Sequence, residues 1–188
     1  HSSDSKISAF GTKDNSIIRL IEVIRDLFPK ARFIHVVRDP RDVAVSSWYH
    51  NLRVEPDFNQ RAGGNLEVWA ETVAKTWGES IHKVNNAFQK DQERLLWVRY
   101  EDMQSQTDDT VQKTLAYLGI ESLVTQIEEM VMLNRFESVT HGRETGVEDR
   151  SSFFRKGVSG DFQNHLTPQI WQNAMQEIRP LMSELLYT

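Results

Sequence analysis

The amino-acid sequence predicts an α/β fold in which helices flank a parallel sheet, and two observations carry this prediction. Two short apolar runs, Phe33 to Val37 and Leu95 to Val98, have the length and composition of buried strands. Amphipathic helical patterns stand before, between and after them, so strands and helices alternate along the chain. The 188 residues, 39% of them hydrophobic, are enough to bury one core. We therefore expect a single domain over residues 1–188.

The first half of the chain has well-marked element boundaries. Residues 17–28 place apolar side chains at helical spacing, and Pro29 ends that helix. The strand over 33–37 comes next. Asp39 is a suitable N-cap, and the proline after it a favourable first residue, for a helix over about 40–52.

The second half continues the alternation. Asn65 can cap a long helix whose apolar stripe runs from Trp69 to Phe88, and Gly119 can end a helix that begins at Asp108. The other expected elements are a strand over 95–98, a helix over 123–133, an irregular stretch over 137–160, and a terminal helix from Pro168 with a kink at Pro180. Two strands are few for a doubly wound sheet of this size.

A guanidinium group is expected at the end of the first strand. Arg38 follows the apolar run directly, and a helix N-terminus lies beside it. Ligands bind at this edge of open α/β sheets, and helix N-termini favour anions. The structural alternatives are an ion pair between Arg38 and Asp42, and a packing role for Ser46 as a small residue between helix and sheet. Arg41 is expected at the surface or in an ion pair.

A second basic segment follows, in which Arg155 stands 117 positions after Arg38. Arg155 and Lys156 lie directly before Gly157, and Gly160 comes soon after. Two cations on a backbone that a ligand can approach closely are again typical of anion binding. The alternative is a pair of solvated charges on a surface loop.

Four motifs in this order resemble the PAPS-dependent sulfotransferases, which use 3′-phosphoadenosine-5′-phosphosulfate. They are an arginine at a strand end with a serine eight residues later (Arg38, Ser46), a Y-E-D-M segment (100–103), the R-K-G-V-S-G-D segment (155–161) and the Q-N-H-L-T segment (163–167). The resemblance runs from about Lys13 to about Thr167. Any one motif is weak, but four in order form a specific pattern.

The resemblance implies a nucleotide-binding role for each matching position. In the family the strand-end arginine and the serine hold the 3′-phosphate, the R-K-G segment closes over the same phosphate, and two aromatic residues touch adenine. The implied cofactor-binding residues are Arg38, Ser46, Tyr100, Phe136, Arg155, Lys156 and Gly157. The two aromatic residues have a simpler alternative as members of the core.

The resemblance also implies a P-loop-like fold and a sulfotransferase reaction. The full-length enzyme would move a sulfuryl group from PAPS to an acceptor hydroxyl or amine and release adenosine 3′,5′-bisphosphate, with no metal. The acceptor stays open among small molecules, carbohydrates, peptides and carrier-bound metabolites, and so does the oligomeric state. The alternatives are an inactive fragment that binds the bisphosphate, a P-loop kinase-like phosphotransferase, which the lack of G-x-x-x-x-G-K-[ST] disfavours, and a non-enzymatic helical interaction module.

One part of the family pattern is not found in the sequence. The family begins with a strand, a K-x-G-T-T loop and a helix, which surround the 5′-phosphosulfate with backbone N–H groups. We therefore expect the chain to be the C-terminal portion of a sulfotransferase domain and, by itself, a poor enzyme. Lys13-Asp14 resembles the bacterial and tyrosylprotein branches, in which Lys13 would be catalytic by stabilising charge on the sulfonate; the alternative is a solvated lysine. Asn15 stands where the cytosolic K-S-H branch has a histidine base.

Composition disfavours several other function classes. A net charge of −5 argues against a nucleic-acid binder, and no 18-residue apolar stretch predicts a membrane span. With no cysteine and only scattered histidines, the sequence predicts neither a disulfide nor a metal site, and we expect a cytoplasmic protein. His35 is expected to pack in the core and His165 to organise the loop behind the R-K-G segment. His50 and His141 are the histidines that could lie near an acceptor.

Overall fold

The computed structural model describes residues 10–187, which form a helix-rich α/β fold around a short parallel sheet. Its strands are β1 (Phe33–Val37) and β2 (Leu95–Arg99). Its helices are α1 (Ile21–Leu27), α2 (Pro40–Val54), α3 (Phe58–Arg61), α4 (Leu66–Ala87), α5 (Tyr100–Ser105), α6 (Thr107–Leu118), α7 (Val124–Asn134), α8 (Phe136–Val139), α9 (Pro168–Ala174) and α10 (Arg179–Glu184). Turns of 3₁₀ helix span Asn15–Leu20, Gln92–Arg94, Asp161–Asn164 and Gln176–Ile178. The predicted fold class is confirmed.

The register of the sheet determines where its ligand edge lies. The two strands run in parallel, with Phe33 opposite Leu95 and Val37 opposite Arg99. Their carboxyl ends therefore meet at one edge, where α2 and α5 begin directly after the strands. This is the edge at which open α/β sheets bind ligands.

The main core lies between α2, α4 and the C-terminal segment. Helices α2 and α4 contact each other along their length, and α9 contacts α4. The buried side chains of this core include Val37, Val45, Trp77, Ile81, Phe162, Leu166, Met175 and Tyr187. Burial of each large apolar side chain contributes about 1.5–3 kcal/mol. The C-terminal segment is thus held on α2, which fixes the position of the loop before it.

Three predicted caps are present. The Asp39 carboxylate accepts a hydrogen bond from the Arg41 backbone N–H at 2.9 Å, at the start of α2. The Asn65 side chain accepts one from the Val68 N–H at 3.0 Å, at the start of α4. Gly119 ends α6 in the left-handed conformation, with φ of 74°. These local interactions set the limits of the three longest helices.

The two ends of the described chain differ from the prediction. The segment predicted as one helix over 17–28 is a 3₁₀ turn over Asn15–Leu20 followed by α1. The predicted terminal helix is interrupted after Ala174 by the 3₁₀ turn over Gln176–Ile178, and Pro180 lies in the first turn of α10. Proline has no N–H to donate, so the chain restarts a helix at Pro180 instead of kinking through it.

The longest helix is amphipathic. Helix α4 has 22 residues, with Glu67, Glu71, Lys75 and Glu79 exposed along one face. Glu71 and Lys75 are four residues apart, a spacing that lets opposite charges interact on a helix surface. No helix within residues 10–187 has the length and apolar character needed to cross a bilayer.

Candidate functional site

Arg38 lies at the carboxyl end of β1, where two distant segments meet. Its Nη2 donates a hydrogen bond to the Val158 carbonyl at 3.0 Å, and its guanidinium lies 4.3 Å from the centre of the Tyr100 ring. Its own carbonyl accepts a hydrogen bond from Trp77 Nε1 at 3.0 Å, which ties the strand end to α4. Its Nε is buried without a hydrogen-bond partner within residues 10–187. The side chain thus has unused donor capacity at the ligand edge of the sheet.

Ser46 lies in the second turn of α2, close in sequence to the helix start. It is half-buried, and its hydroxyl forms no hydrogen bond with any residue of the described chain. By contrast, the neighbouring Ser47 hydroxyl donates to the Val43 carbonyl at 2.6 Å and accepts from Trp69 Nε1 at 2.9 Å. Ser47 therefore has a structural role, whereas the Ser46 hydroxyl is available to another partner.

Arg155 and Lys156 converge on one buried carboxylate. Asp161 accepts from Arg155 Nη2 at 2.5 Å and from Lys156 Nζ at 2.6 Å, and only 2% of its side chain is exposed. Burial alone would raise the pKa of Asp161, but hydrogen bonds from Lys156, Arg155 and Asn164 together outweigh it and hold the pKa well below its usual range. The two cations are therefore arranged by an internal anion, not spread over the surface as solvated charges.

The same cluster reaches α2 through two aromatic rings. His165 contacts Asp161 through Nε2 at 3.1 Å and the Tyr49 hydroxyl through Nδ1 at 3.2 Å. The Arg155 guanidinium lies 4.9 Å from the centre of the Tyr49 ring and also pairs with Glu148. The prediction that His165 organises the loop behind the R-K-G segment is confirmed.

A second buried carboxylate joins this loop to α2. Asp42 accepts hydrogen bonds from the backbone N–H groups of Gly160 at 2.6 Å and Phe162 at 3.0 Å. Its Oδ2 also lies 3.7 Å from Arg38 Nη2, so the ion pair considered as an alternative for Arg38 exists at the outer limit of contact. Burial raises the pKa of Asp42, although these donors oppose the shift.

Gln104 of α5 connects Tyr100, which is predicted to touch adenine, to the glycine loop. Its Nε2 donates to the Tyr100 hydroxyl at 3.1 Å and to the Gly157 carbonyl at 2.9 Å, and its Oε1 accepts from the Ser159 hydroxyl. Tyr100 is thereby held beside Arg38 and below the glycine loop. The residues that follow the carboxyl ends of the two strands and the loop thus form one connected polar cluster.

Phe136 packs directly on Gly157. A Cβ atom at Gly157 would lie 2.3 Å from Phe136 Cδ2, and Gly157 has a φ of +70°. Both the close approach and the left-handed backbone require glycine at this position. Phe136 therefore contacts the R-K-G segment, as a residue shared between core and site would.

Replacing Gly157 with alanine is expected to destabilise the protein by about 2–3 kcal/mol, because the left-handed backbone is strained and Phe136 must move. Gly64→Ala is the matched control, since Gly64 has a φ of +83° and no atom within 4 Å of an added Cβ. The control is expected to lose only about 1 kcal/mol. Urea denaturation of both variants measures the difference. Equal losses would mean that the Phe136 contact contributes nothing.

The predicted catalytic lysine lies apart from this cluster. Lys13 is exposed, in the irregular segment before the first 3₁₀ turn, and no residue among 10–187 forms a hydrogen bond or an ion pair with it. Asp14 beside it accepts from the Ser16 N–H at 2.7 Å. The catalytic role of Lys13 stays a prediction.

Of the other histidines discussed above, His35 and His50 contact neighbouring side chains, whereas His141 is exposed. His35 packs edge-on against Trp97, and burial lowers its pKa to about 4, which agrees with the predicted core histidine. His50 contacts Arg53 at 3.2 Å through Nδ1, and His141 is exposed at a φ of 57°. Within the described part of the chain no three His, Asp or Glu side chains are arranged to hold a metal ion.

Sequence reasoning named Asp42 only as a possible ion-pair partner of Arg38, did not identify Asp161, and left Arg41 between a surface position and an ion pair. Arg41 is buried, pairs with Asp39 at 2.6 Å and stacks on Phe162, so the surface alternative was wrong and the ion pair is present. Asp161 is the last residue of the R-K-G-V-S-G-D segment, and Asp42 lies between Arg38 and Ser46. Their position beside the cations was the available signal.

The comparison with known families decides the relationship. The model of the family described as "Sulfotransferase domain" matches residues 20–185. The chain belongs to the sulfotransferase family. All seven predicted cofactor-binding residues of this sulfotransferase chain fall within the match.

Curated relatives agree with the family at low identity. Sulfotransferase 2A1 of Macaca fascicularis is 27% identical over 158 residues, which cover 75% of this chain and 55% of that protein. Sulfotransferase 1C2 of Homo sapiens is 28% identical over 152 residues, which cover 72% of this chain and 49% of that protein. The sulfotransferase chain thus spans about half the length of these relatives. Cytosolic sulfotransferase 17 of Arabidopsis thaliana also matches, so a closer kinship to the bacterial and tyrosylprotein branches stays a prediction.

Solved structures share the fold of this sulfotransferase chain. Mouse sulfotransferase SULT7A1 complexed with PAP matches with a TM-score of 0.60 at 23% identity, over 81% of this chain and 62% of that one. Retinol dehydratase in complex with androsterone and the inactive cofactor PAP matches with a TM-score of 0.65 at 20% identity, over 84% of this chain and 49% of that one. At these identities the likeness establishes the fold alone.

Proposed function

We propose that this chain forms the part of a PAPS-dependent sulfotransferase that binds the 3′-phosphate of the nucleotide. The parent enzyme transfers a sulfuryl group to an acceptor hydroxyl or amine. The observation that carries the proposal is the contact between Arg38 Nη2 and the Val158 carbonyl, which joins two basic segments 120 residues apart. These segments were predicted separately from the sequence as anion-binding, and the chain folds them onto one sheet edge.

The donors at this edge suit a phosphate group. Arg38 and Arg155 each have a buried Nε without a partner among residues 10–187, and the Ser46 hydroxyl forms no hydrogen bond in that part of the chain. Guanidinium groups bind phosphate oxygens through two parallel N–H bonds, and such charge-assisted bonds are stronger than neutral ones. The carboxylates nearby also bind: Asp42 accepts two backbone N–H groups and Asp161 accepts from His165. Asp161 also accepts from Arg155 Nη2 and Lys156 Nζ, and Arg155 Nη1 donates to Glu148, so part of the donor capacity of these two cations is already used within the loop.

The positions of these residues indicate which part of the nucleotide each of them would contact. When bound, PAPS supplies the sulfuryl group and a phosphate leaving group. Arg38, Ser46 and the segment from Arg155 to Gly157 would hold the 3′-phosphate, and Tyr100 and Phe136 would flank the adenine. These residues would hold the nucleotide at the end far from the transferred sulfuryl group. Their contribution would be to orient the donor, not to take part in the transfer itself. Lys13 is the proposed source of charge stabilisation at the sulfonate.

A second candidate is a protein that binds adenosine 3′,5′-bisphosphate without transferring sulfate. One observation favours it: the cluster at the sheet edge joins residues predicted to bind the 3′-phosphate or the adenine, whereas Lys13, the residue predicted to act at the sulfonate, forms no hydrogen bond or ion pair with them. Both candidates require the same binding site. The test of that site therefore comes first, and acceptor screening follows from it.

Adenosine 3′,5′-bisphosphate is expected to bind this chain at least about tenfold more tightly than ADP or AMP, since each charge-assisted hydrogen bond contributes about 1.5–3 kcal/mol. Isothermal titration calorimetry measures the three affinities. Adenosine 2′,5′-bisphosphate is the matched control ligand, because it carries the same charge with one phosphate moved. Equal affinity for the 3′,5′- and the 2′,5′-compound would show attraction to charge alone, and equal affinity for AMP would overturn the assignment.

A further inference from the structure

Asp42 is a buried carboxylate that accepts hydrogen bonds from backbone N–H groups of a distant segment of the chain. It lies in the first turn of α2 with only 1% of its side chain exposed. Its two oxygens divide between the N–H groups of Gly160 and Phe162, which are 118 and 120 residues away in sequence. A buried charge is costly unless it is paired and hydrogen-bonded. The Asp42 carboxylate therefore depends on the loop N–H groups, and the loop position depends on Asp42.

The two N–H groups bracket the residue that gathers the loop cations. Gly160 has a φ of +80° and starts the 3₁₀ turn that begins at Asp161. Fixing the N–H groups on both sides of Asp161 fixes the direction in which its carboxylate points. That carboxylate in turn holds Arg155 and Lys156 at 2.5 and 2.6 Å.

The opposite side of Asp42 faces the first basic segment. Its Oδ2 lies 3.7 Å from Arg38 Nη2, and the same Nη2 donates to the Val158 carbonyl in the loop. Asp42 therefore contacts both halves of the candidate site, Arg38 directly and the loop cations through Asp161. No other carboxylate among the residues described here contacts both segments in this way.

We infer that Asp42 is a positioning residue, which latches the R-K-G-V-S-G-D loop to α2 and so sets the separation between Arg38 and the loop cations. This inference rests on the proposed function, and it adds a residue that binds no ligand itself. Binding energy from several donors is realised only when the donors are held at the correct spacing. Loss of the latch should thus weaken recognition of the 3′-phosphate specifically.

The test is Asp42→Asn. The amide oxygen of asparagine can accept one of the two N–H groups, while its NH₂ opposes the other and lacks the charge that attracts Arg38. We expect roughly tenfold weaker binding of adenosine 3′,5′-bisphosphate, less than about twofold change for AMP, and faster hydrogen exchange at the Gly160 and Phe162 amides. A merely structural role would weaken both ligands equally.

Asp39→Asn is the matched control. Asp39 is also buried and caps the start of α2, but its side chain contacts Arg41 and the helix N-terminus, not the loop. Asparagine caps helices as well as aspartate does, so the start of α2 is kept. Loss of the Arg41 ion pair should lower the stability, but the preference for the 3′,5′-bisphosphate over AMP should be unchanged when both affinities are measured well below the unfolding midpoint. If the wild-type chain has no preference for the bisphosphate, the proposed function fails and the latch with it. If the preference exists and Asp42→Asn retains it, the latch alone is wrong.

Discussion

Arg38→Ala is expected to weaken the binding of adenosine 3′,5′-bisphosphate by roughly 10- to 100-fold, the largest loss of affinity for any single change in the site. A bidentate guanidinium–phosphate contact contributes about 1.5–3 kcal/mol, and this side chain lies at the sheet edge with an unused Nε donor. Its contacts with Val158 and Asp42 are lost as well. Calorimetry well below the thermal midpoint measures affinity, and urea denaturation measures stability.

Two comparisons separate charge from geometry. Arg38→Lys keeps the charge but not the planar fork, so an intermediate affinity is expected. Arg99→Ala removes an arginine from the same edge of the sheet, whose Nε is likewise buried without a partner among residues 10–187 but which contacts Asp102 and Tyr187 and not the loop, and it should leave binding unchanged. A variant at Arg38 that binds normally but unfolds more easily would make this arginine a structural partner of Asp42 and nothing more.

The sequence was most informative where local interactions decide the outcome. Asp39 and Asn65 were identified as caps because a cap depends on a few adjacent residues, and both cap helices in the structure. The strand over 33–37 was correct to the residue, since a short apolar run between two polar breaks has few alternatives. The resemblance supplied the remaining site residues by position in a motif. Their spacing along the chain alone would not have brought them together.

The sequence was least informative about partners distant along the chain. Nothing near Asp42 indicates that its oxygens accept N–H groups from Gly160 and Phe162, because that contact depends on the packing of the C-terminal segment on α2. The same holds for Gln104, whose amide connects Tyr100 with the glycine loop. Cations can be recognised from a motif, but the groups that orient them are set by tertiary structure.

Asp161→Asn is expected to reduce the free energy of unfolding at pH 7 by about 3 kcal/mol. Removing one partner of a buried ion pair typically costs 3–5 kcal/mol, because the remaining charge stays buried. Here the half-buried Lys156 would lose its carboxylate, and Arg155, with 12% of its side chain exposed, would keep only Glu148. Asp149→Asn is the matched control: Asp149 lies in the same loop, is half-buried, and its carboxylate accepts from the Ser151 N–H and hydroxyl and not from a cation.

The pH dependence gives this prediction a second, independent test. The pKa of Asp161 in the folded protein lies well below its unfolded value of about 3.9, so the unfolded chain binds the proton more readily. The stabilisation is therefore fully present above that unfolded pKa and is lost progressively as the pH falls below it toward the folded pKa. The gap between wild type and Asp161→Asn should be constant from pH 7 to about pH 5 and shrink below about pH 4. Urea denaturation at pH 7, 5 and 3.5 measures it. A gap that stays constant into acid would mean that the loss comes from packing or hydrogen bonding and not from the carboxylate charge. No gap at pH 7 would mean that desolvation cancels the ion pairs and that Asp161 orders the loop without stabilising the fold.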